Sequence, residues 1–170
     1  GRRIQIYDNA YEVEIMEFEK IAGYKFNNPN LLKTALTHTS FANEKKVESN
    51  QRLEFLGDSV IGLVIGEYLF KTYPSMPEGK LSKIKAGIVC EKGLSCVAKE
   101  LGLNKTLVLG KGESMSGGAE RSSNLEDAFE AVMGAIYMDS DYETVKNIIL
   151  SVMKGIIHEV VENHGIEDSK

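Results

Sequence analysis

The sequence predicts an all-α domain organised around one long, largely buried helix. Residues 50–73 contain no proline and are long enough for about six helical turns. Six further segments repeat apolar residues at helical spacing, and glycine, proline or polar residues separate them. No stretch shows a convincing strand pattern, and no internal repeat is found. We therefore expect six to seven or more helices around the central one.

The first helix is predicted to open with a capping box, in which Glu12 follows Asn9 by three residues. Gly23 is expected to end it, because glycine commonly follows the last helical residue. Apolar residues on one side of this helix predict its buried face: Val13, Met16, Phe18 and Ile21.

A second helix is expected to open at Asn28, with Pro29 in the first helical position, where its missing N–H costs no hydrogen bond. The polar segments 37–42 and 43–50 are interpreted as a connection and a loop that lead into the central helix. His38 lies in the connection, and no second His or Cys is near it in the sequence. We interpret it as a hydrogen-bonded structural residue and not as a metal ligand.

The central helix combines an apolar surface with a charged pair. Apolar residues on most of its sides predict burial: Leu53, Phe55, Leu56, Val60, Leu63, Val64, Leu69 and Phe70. Glu54 and Asp58 nevertheless lie four residues apart on one face. Like charges at this spacing repel by a few tenths of a kcal/mol (~0.2–0.5) on a wet surface and more strongly in a partly dry site. A positive group is therefore expected between them.

After a break at residues 74–79, apolar periodicity predicts one helix around residues 81–89 and another around 94–101, which Gly102 closes. Residues 110–118 are rich in glycine and are expected to form a flexible loop. The loop lacks the Gly-Lys-Ser/Thr ending of a Walker motif, so a nucleotide-binding role is rejected.

Two further capping boxes predict where the last two helices start. Ser123 and Glu126 would open a helix that runs to Met138, and Ser140 and Glu143 would open the final helix.

A second acidic pair, Asp127 and Glu130, lies on one face of the helix that starts near Ser123. Together with Glu54 and Asp58 it would supply four carboxylates from two facing helices. An oxygen-only site of this kind suits Mg²⁺, with Mn²⁺ as an alternative, and does not suit zinc. Glycines on both helices would let the backbones approach closely: Gly57, Gly62, Gly66 and Gly134. The alternative is that these acids lie on solvated helix faces, and spacing alone leaves both interpretations open.

Composition places the chain among ordinary globular proteins, with 42% hydrophobic and 26% charged residues. No run of 18 uncharged apolar residues exists, so no membrane partner is expected, and no signal core supports secretion. The net charge of −5 argues weakly against nucleic-acid binding, but a cation site itself requires carboxylates. Cys90 and Cys96 are expected to be buried free thiols in a reducing compartment.

Residues 51–60, Gln-Arg-Leu-Glu-Phe-Leu-Gly-Asp-Ser-Val, resemble the signature helix of the ribonuclease III family of double-stranded-RNA endonucleases. Residues 123–131, Ser-Asn-Leu-Glu-Asp-Ala-Phe-Glu-Ala, resemble the second acidic motif of that family. Residues 35–43 and 78–82 match further motifs in the expected order, and the likeness extends over residues 18–161.

The resemblance implies the ribonuclease III endonuclease-domain fold and a cytoplasmic homodimer that cleaves double-stranded RNA with a divalent metal. The products would carry 5′-phosphate and 3′-hydroxyl ends with a short 3′ overhang, as in rRNA and mRNA processing. Glu54, Asp127 and Glu130 match the metal ligands, and Asp58 and Glu130 match the catalytic residues. Phe55 matches the aromatic side chain that inserts into the partner subunit, with core packing as the alternative. No small-molecule cofactor is implied.

The implied mechanism uses the metal to lower the pKa of a water molecule and to offset charge on the scissile phosphate, while Asp58 orients the water. Duplex RNA is recognised mainly through phosphates and 2′-hydroxyls, so little base specificity is expected. Basic residues near the acidic helices are candidates for backbone contacts: Lys80, Lys83, Lys85, Lys111 and Arg121.

The sequence departs from the family pattern in two respects. The signature usually begins with Glu, whereas this chain has Gln51, which adds no negative charge. A double-stranded-RNA-binding domain usually follows the catalytic one. We expect residues 1–165 to form the catalytic domain and residues 166–170 to begin a linker to such a domain, which this chain lacks.

Two alternatives stay open from the sequence. One is an all-α nucleoside-triphosphate pyrophosphohydrolase, which also arranges acidic helix residues around Mg²⁺. The other is a dimeric module that binds duplex RNA with weakened or no cleavage, in which Gln51 would be a sign of lost activity.

Overall fold

The structure, a computed structural model, describes residues 2–165, with side chains described from Ala10 onward. This part of the chain forms eleven α-helices and one short 3₁₀-helix, with no strand beyond an isolated parallel bridge between Thr37 and Val108. The predicted all-α class is confirmed. The α-helices, in order, are α1 (Arg2–Ala22), α2 (Pro29–Ala35), α3 (Thr39–Lys45), α4 (Gln51–Thr72), α5 (Glu78–Ile88), α6 (Glu91–Glu100), α7 (Leu103–Thr106), α8 (Lys111–Met115), α9 (Ser122–Asp139), α10 (Tyr142–Val152) and α11 (Lys154–Asn163). The 3₁₀-helix, Gly118–Glu120, lies between α8 and α9.

The helix pair α4 and α9 forms the centre of the fold. Every residue of α9 from 128 to 136 is buried, and the small side chains among them allow neighbouring helices to approach. The backbones of α4 and α9 touch at two glycines. A Cβ atom added to Gly57 would overlap the carbonyl of Glu130, and one added to Gly134 would overlap the carbonyl of Leu53. The predicted close approach is therefore found at these two positions, whereas a Cβ at Gly66 would meet nothing within 4 Å.

One side of α4 is exposed, contrary to the expectation that this helix is buried nearly all round. Phe55 is 79% exposed, Leu63 59% and Phe70 71%. The opposite side supplies the core, through Val60, Ile61, Val64, Ile65 and Leu69. An apolar sequence pattern predicts burial without specifying the partner, and residues 10–165 of this chain provide none for that face.

The predicted buried face of α1 is wrong except for Phe18. Val13, Met16 and Ile21 are exposed, because α1 packs on the core through the neighbouring stripe of Ile15, Phe18 and Ala22. The predicted capping box does not open this helix either. The helix begins at Arg2 and includes Asn9, since residues 2–8 contain no glycine or proline that would stop it.

The predicted start of α2 is confirmed. The Asn28 side chain accepts a hydrogen bond from the backbone N–H of Asn30 at 3.1 Å, and Pro29 occupies the first helical position. The observed start of α10 differs by one residue from the predicted start of the final helix. Asp141, and not Ser140, caps α10, because its carboxylate accepts the Thr144 N–H at 2.8 Å.

The box predicted from Ser123 and Glu126 does not cap α9. This helix starts at Ser122, and no side chain of its N-cap residue, Arg121, bonds to the first turn. The predicted final helix is also divided, at Met153, into α10 and α11.

Two segments predicted as connections contain short helices. His38 caps α3 by accepting the Ser40 backbone N–H, so the polar connection becomes helical from Thr39. The glycine-rich segment 110–118 contains α8. Helices of five to seven residues are too short to show a clear apolar periodicity in the sequence. Helices α3 and α8 are stabilised by contacts with each other.

Both cysteines are exposed, so the prediction of buried thiols is wrong. Helix α6 turns Leu94, Val97 and Ala98 towards the core, which leaves Cys96 outside, and Cys90 precedes that helix. No helix within residues 2–165 combines the length and the apolar character needed to cross a membrane.

Candidate metal centre

Three carboxylates meet where α4 lies against α9. Glu54 comes from the first turn of α4, and Asp127 and Glu130 lie three residues apart on one face of α9. Each offers an oxygen, and the three oxygens lie within 4.8 Å of one another. The glycine contacts at Gly57 and Gly134 bring the two helices close enough for this arrangement. The structure thus brings together the three residues predicted as metal ligands.

Asp58 lies one turn after Glu54 on α4 and is exposed. Its carboxyl group lies beside that of Glu130 and contributes to the raised pKa of Glu130. The fourth predicted acid therefore lies at the edge of the cluster and not inside it.

The environment strongly disfavours negative charge on these side chains when no cation is bound. Glu130 is only 7% exposed, and burial together with the hydrogen bond and charge of Asp58 raises its pKa from 4.5 to about 9. Burial, followed by the charge and hydrogen bond of Asp127, raises the pKa of Glu54 to about 7. Burial also raises the pKa of Asp127, although the hydrogen-bonding contact with Glu54 opposes this shift.

The described side chains supply no ammonium or guanidinium group that neutralises the cluster. Among the described side chains, no ion pair joins Lys or Arg to any of the four carboxylates. The positive group expected from the sequence is therefore not a residue of this part of the chain. Three carboxylate oxygens in a half-buried cleft are the donor set that a hard divalent cation such as Mg²⁺ prefers. The residues present fit such an ion.

A groove of about 950 Å³ adjoins the cluster. Asp58 and Glu130 line it together with the exposed side of α4, including Leu63 and Phe70, and with Lys85 of α5. The half-buried Lys85 side chain lies over Gly62, where a Cβ atom would stand 3.7 Å from its ammonium nitrogen. One predicted basic residue is thus close to the acidic cluster without an ion pair to any described carboxylate.

The other predicted basic residues differ in their availability. Lys80, Lys83 and Lys111 are exposed. Arg121 already forms an ion pair with Glu113, and its guanidinium also donates to a backbone carbonyl, so fewer of its N–H groups are free to bind a ligand.

The remaining predicted positions are at the surface. Phe55 follows Glu54 and is exposed, so core packing within this chain is not its role. Gln51 is exposed at the first position of α4, one turn before Glu54.

Sequence reasoning missed residues around the cluster. Asn124 is buried on the first turn of α9, one turn before Asp127, and contacts both His38 and Glu113. Burial and the charges of Asp127, Glu91 and Asp58 raise the pKa of Glu126, which shows that the acidic region extends beyond the three predicted ligands. The position of Asn124 in the motif next to Asp127 was the available signal.

The chain matches known proteins over most of its length. A family profile described as Ribonuclease-III-like matches residues 28–156. "Ribonuclease 3" of Treponema denticola is 48% identical over 159 residues, which cover 92% of this chain and 65% of that protein. "Ribonuclease 3" of Clostridium perfringens is 44% identical over 160 residues, with coverages of 94% and 68%. The chain therefore spans about two thirds of the length of these relatives.

The fold is also found in a solved structure. The nuclease domain of ribonuclease III from Campylobacter jejuni, described as having structural flexibility in a region involved in dimer formation, matches with a TM-score of 0.79. The two are 42% identical, and the match covers 83% of this chain and 96% of that one. On the profile, the relatives and the shared fold, this chain belongs to the ribonuclease III family.

Proposed function

We propose that this chain is the nuclease part of an endoribonuclease that cleaves double-stranded RNA with a divalent cation, Mg²⁺ or Mn²⁺. One observation carries the proposal: in a chain of the ribonuclease III family, three carboxylates of two packed helices converge, and no Lys or Arg among the described side chains pairs with them. In this proposal Glu54, Asp127 and Glu130 hold the cation, and Asp58 and Glu130 act in catalysis.

The roles of the side chains follow from their charge and position. When bound, the cation would supply Lewis-acid stabilisation of the phosphodiester and favour deprotonation of an attacking water. Glu130 is buried beside Asp58, and in their charged forms these carboxylates can orient a water molecule or accept its proton. Asp58 faces solvent and the groove, where the substrate can reach it. Hydrolysis would leave 5′-phosphate and 3′-hydroxyl ends with a short 3′ overhang.

The same proposal includes a homodimer. Phe55, Leu63 and Phe70 expose an apolar face on α4 beside the acidic cluster, and a second copy of the chain would cover it. Phe55 would insert into the partner. The Campylobacter jejuni relative, which has a described region of dimer formation, supports this assignment.

We further assign residues 1–165 to the catalytic domain and residues 166–170, which lie outside the described residues, to the start of a linker to a double-stranded-RNA-binding domain. Support for the first assignment comes from the profile match over residues 28–156. A role in rRNA and mRNA processing in the cytoplasm is proposed from family membership.

Cleavage of a labelled RNA duplex in the presence of Mg²⁺ tests the proposal. The wild-type chain should cut the duplex, and Glu130→Gln should slow cutting by at least about 100-fold, since metal-assisted stabilisation is worth several kcal/mol. Glu126→Gln is the matched control, because it removes one charge from the same helix outside the proposed ligand set, and its rate should stay within about threefold.

Three results would contradict the proposal in different ways. Unchanged cutting by Glu130→Gln would refute the site assignment. Binding of the duplex without cutting, at any Mg²⁺ or Mn²⁺ concentration, would favour the non-catalytic alternative suggested by Gln51. Release of nucleoside monophosphates from free nucleotides, with the duplex spared, would favour a pyrophosphohydrolase.

A further inference from the structure

Asn124 joins three segments of the chain immediately before the acidic cluster. Its side chain is buried, and its Oδ1 lies 3.0 Å from Nε2 of His38, in the connection between α2 and α3. Its Nδ2 donates to Oε2 of Glu113 on α8 at 3.2 Å and to the carbonyl of Gly118 at 3.1 Å. One amide thus links the start of α9 to the α2–α3 connection and to the segment from α8 to the 3₁₀-helix.

The hydrogen bonds of His38 determine the direction of this chain of contacts. Nδ1 of His38 accepts the Ser40 backbone N–H at 3.1 Å and lies 2.7 Å from the Ser40 hydroxyl. The Nδ1 lone pair is therefore in use, which places the ring proton of neutral His38 on Nε2. Nε2 donates to Oδ1 of Asn124, and both N–H bonds of the Asn124 amide donate in turn. This buried amide has no unused donor, so its orientation is fixed.

The far end of the chain of contacts is fixed as well. Glu113 forms an ion pair with Arg121, the residue that precedes α9. Gly118 packs directly on Glu113, where an added Cβ atom would lie 2.6 Å from the Glu113 side chain. The Ser40 hydroxyl also accepts the Gly110 N–H at 2.8 Å, so the start of the α8 segment is tied to α3.

The first turn of α9 needs such support. Its N-cap residue offers no side-chain hydrogen bond, and an uncapped first turn tends to fray. Asp127 begins the next turn, on the same face as Asn124. A divalent cation is held by the charged forms of Glu54, Asp127 and Glu130, and the repulsion between these like charges favours movement of Asp127 away from the other two. A fixed Asn124 opposes that movement.

We propose that Asn124, held by His38 and Glu113, is a positioning residue that keeps Asp127 in place for divalent-cation binding. This inference rests on the metal centre of the proposed function. It assigns a role to residues outside the ligand set, and it concerns the affinity of the cation and not the chemical step.

Mn²⁺ binding to the RNA-free protein, followed by the electron paramagnetic resonance of free Mn²⁺, tests this role directly. Asn124→Ala removes all three hydrogen bonds of the amide. His38→Asn keeps an acceptor for the Ser40 N–H but is too short to reach Asn124. Each variant should weaken Mn²⁺ binding by about tenfold or more, the range found when an outer-shell partner of a metal ligand is lost. The double variant should bind Mn²⁺ no more weakly than whichever single variant has the lower affinity, because both changes break the same connection between His38 and Asn124.

Tyr11→Phe is the matched control. It also removes a partly buried side-chain hydrogen bond, from Tyr11 to the carbonyl of Thr106 in α7, but this bond is not part of the Asn124 contacts, and its loss should leave Mn²⁺ affinity within about twofold. Thermal denaturation of each variant checks that it is folded at the assay temperature. If Asn124→Ala is unfolded, the His38→Asn variant alone tests the positioning role.

The outcomes separate this inference from the proposed function. Wild-type affinity in the folded Asn124→Ala or His38→Asn variant, or an equal loss in Tyr11→Phe, would overturn the positioning role while the metal centre stands. Failure of the wild-type protein to bind Mn²⁺ would instead refute the metal centre and this inference with it.

Discussion

At the scale of single residues, the decisive feature is a glutamate in the core. Glu130 lies among the buried residues of α9. A carboxyl group at such a position destabilises the fold when it is charged, unless a positive group pairs with it. Without a cation, burial and the neighbouring Asp58 raise the pKa of Glu130 to about 9. A glutamate at a core position that disfavours negative charge is explained if its charged form binds a cation.

This predicts an unusual dependence of stability on pH. The pKa of Glu130 rises from 4.5 to about 9 on folding, and that of Glu54 from 4.5 to about 7. Between pH 4.5 and the raised pKa of each group, the folded state therefore holds a proton that the unfolded state has lost. The stabilisation from both groups is complete below pH 4.5 and is lost as pH rises through about 7 for Glu54 and about 9 for Glu130. Melting temperatures measured in EDTA should therefore fall between pH 6 and pH 9, and Mg²⁺ or Mn²⁺ should restore stability most at pH 9, since bound cations favour the charged carboxylates.

Glu130→Gln is the control for this prediction. A glutamine amide is neutral at every pH, like protonated Glu130, so the variant should fold and its melting temperature in EDTA should depend less on pH. Wild-type stability that rises from pH 6 to pH 9 in EDTA, or an equal pH dependence in the variant, would show that Glu130 does not titrate as described.

At the scale of helices, the α4–α9 contact positions the cluster. The two backbones meet at Gly57 and Gly134, and no side chain fits at either position. Separation of the helices by even a methyl group would move Glu54 away from Asp127 and Glu130, so the packing and the proposed site depend on the same two glycines.

Gly57→Ala should therefore destabilise the protein by about 3 kcal/mol or more, since overpacking against a rigid backbone exceeds the usual cost. It should also abolish Mn²⁺ binding if the protein stays folded. Gly155→Ala, in α11 where an added Cβ atom meets nothing within 4 Å, is the control and should be neutral or stabilising by up to about 1 kcal/mol. Urea denaturation measures both, and equal stability of the two variants would contradict the described contact.

The central helices α4 and α9 were predictable from sequence, whereas the short helices α3, α7 and α8 were not. α4 and α9 are long, apolar and free of proline, so periodicity alone identifies them. By contrast, α8 exists because the Gly110 and Lys111 N–H groups donate to Ser40 and Glu44 of α3, contacts between residues about 70 positions apart. The buried side of α1 was assigned wrongly for a similar reason, because two neighbouring apolar stripes compete and only the packing partner selects between them.

The candidate site shows the same division. The spacing of the two acidic pairs and their resemblance to known motifs identified the carboxylates that the structure brings together. Asn124 could not be identified in this way, because its role depends on His38 and Glu113, which only the folded chain places beside it. Pairwise spacing within one helix is visible in a sequence, whereas the meeting of distant loops is not.

At the scale of the whole molecule, the apolar face of α4 predicts self-association. Phe55 is the most exposed of its three large apolar residues, and an aromatic residue at the centre of an interface often dominates the binding energy. Phe55→Glu should weaken dimerisation by at least about 30-fold, which corresponds to about 2 kcal/mol. Sedimentation equilibrium over a range of protein concentrations measures this change.

Val47→Glu is the control, because Val47 is also an exposed apolar residue, at 52%, but lies outside that face and before α4. Its dimerisation constant should match that of the wild type. A wild-type protein that is monomeric at high concentration, or a Phe55→Glu variant that dimerises normally, would show that α4 is not the interface.

The central claim is that Glu54, Asp127 and Glu130 bind one divalent cation together. Anomalous scattering from crystals grown with Mn²⁺ tests it most directly. We expect a peak within about 2.5 Å of a carboxylate oxygen of each of the three residues, as inner-sphere coordination requires. A crystal saturated with Mn²⁺ that shows no peak between these side chains, or a peak held by other residues only, would contradict the account.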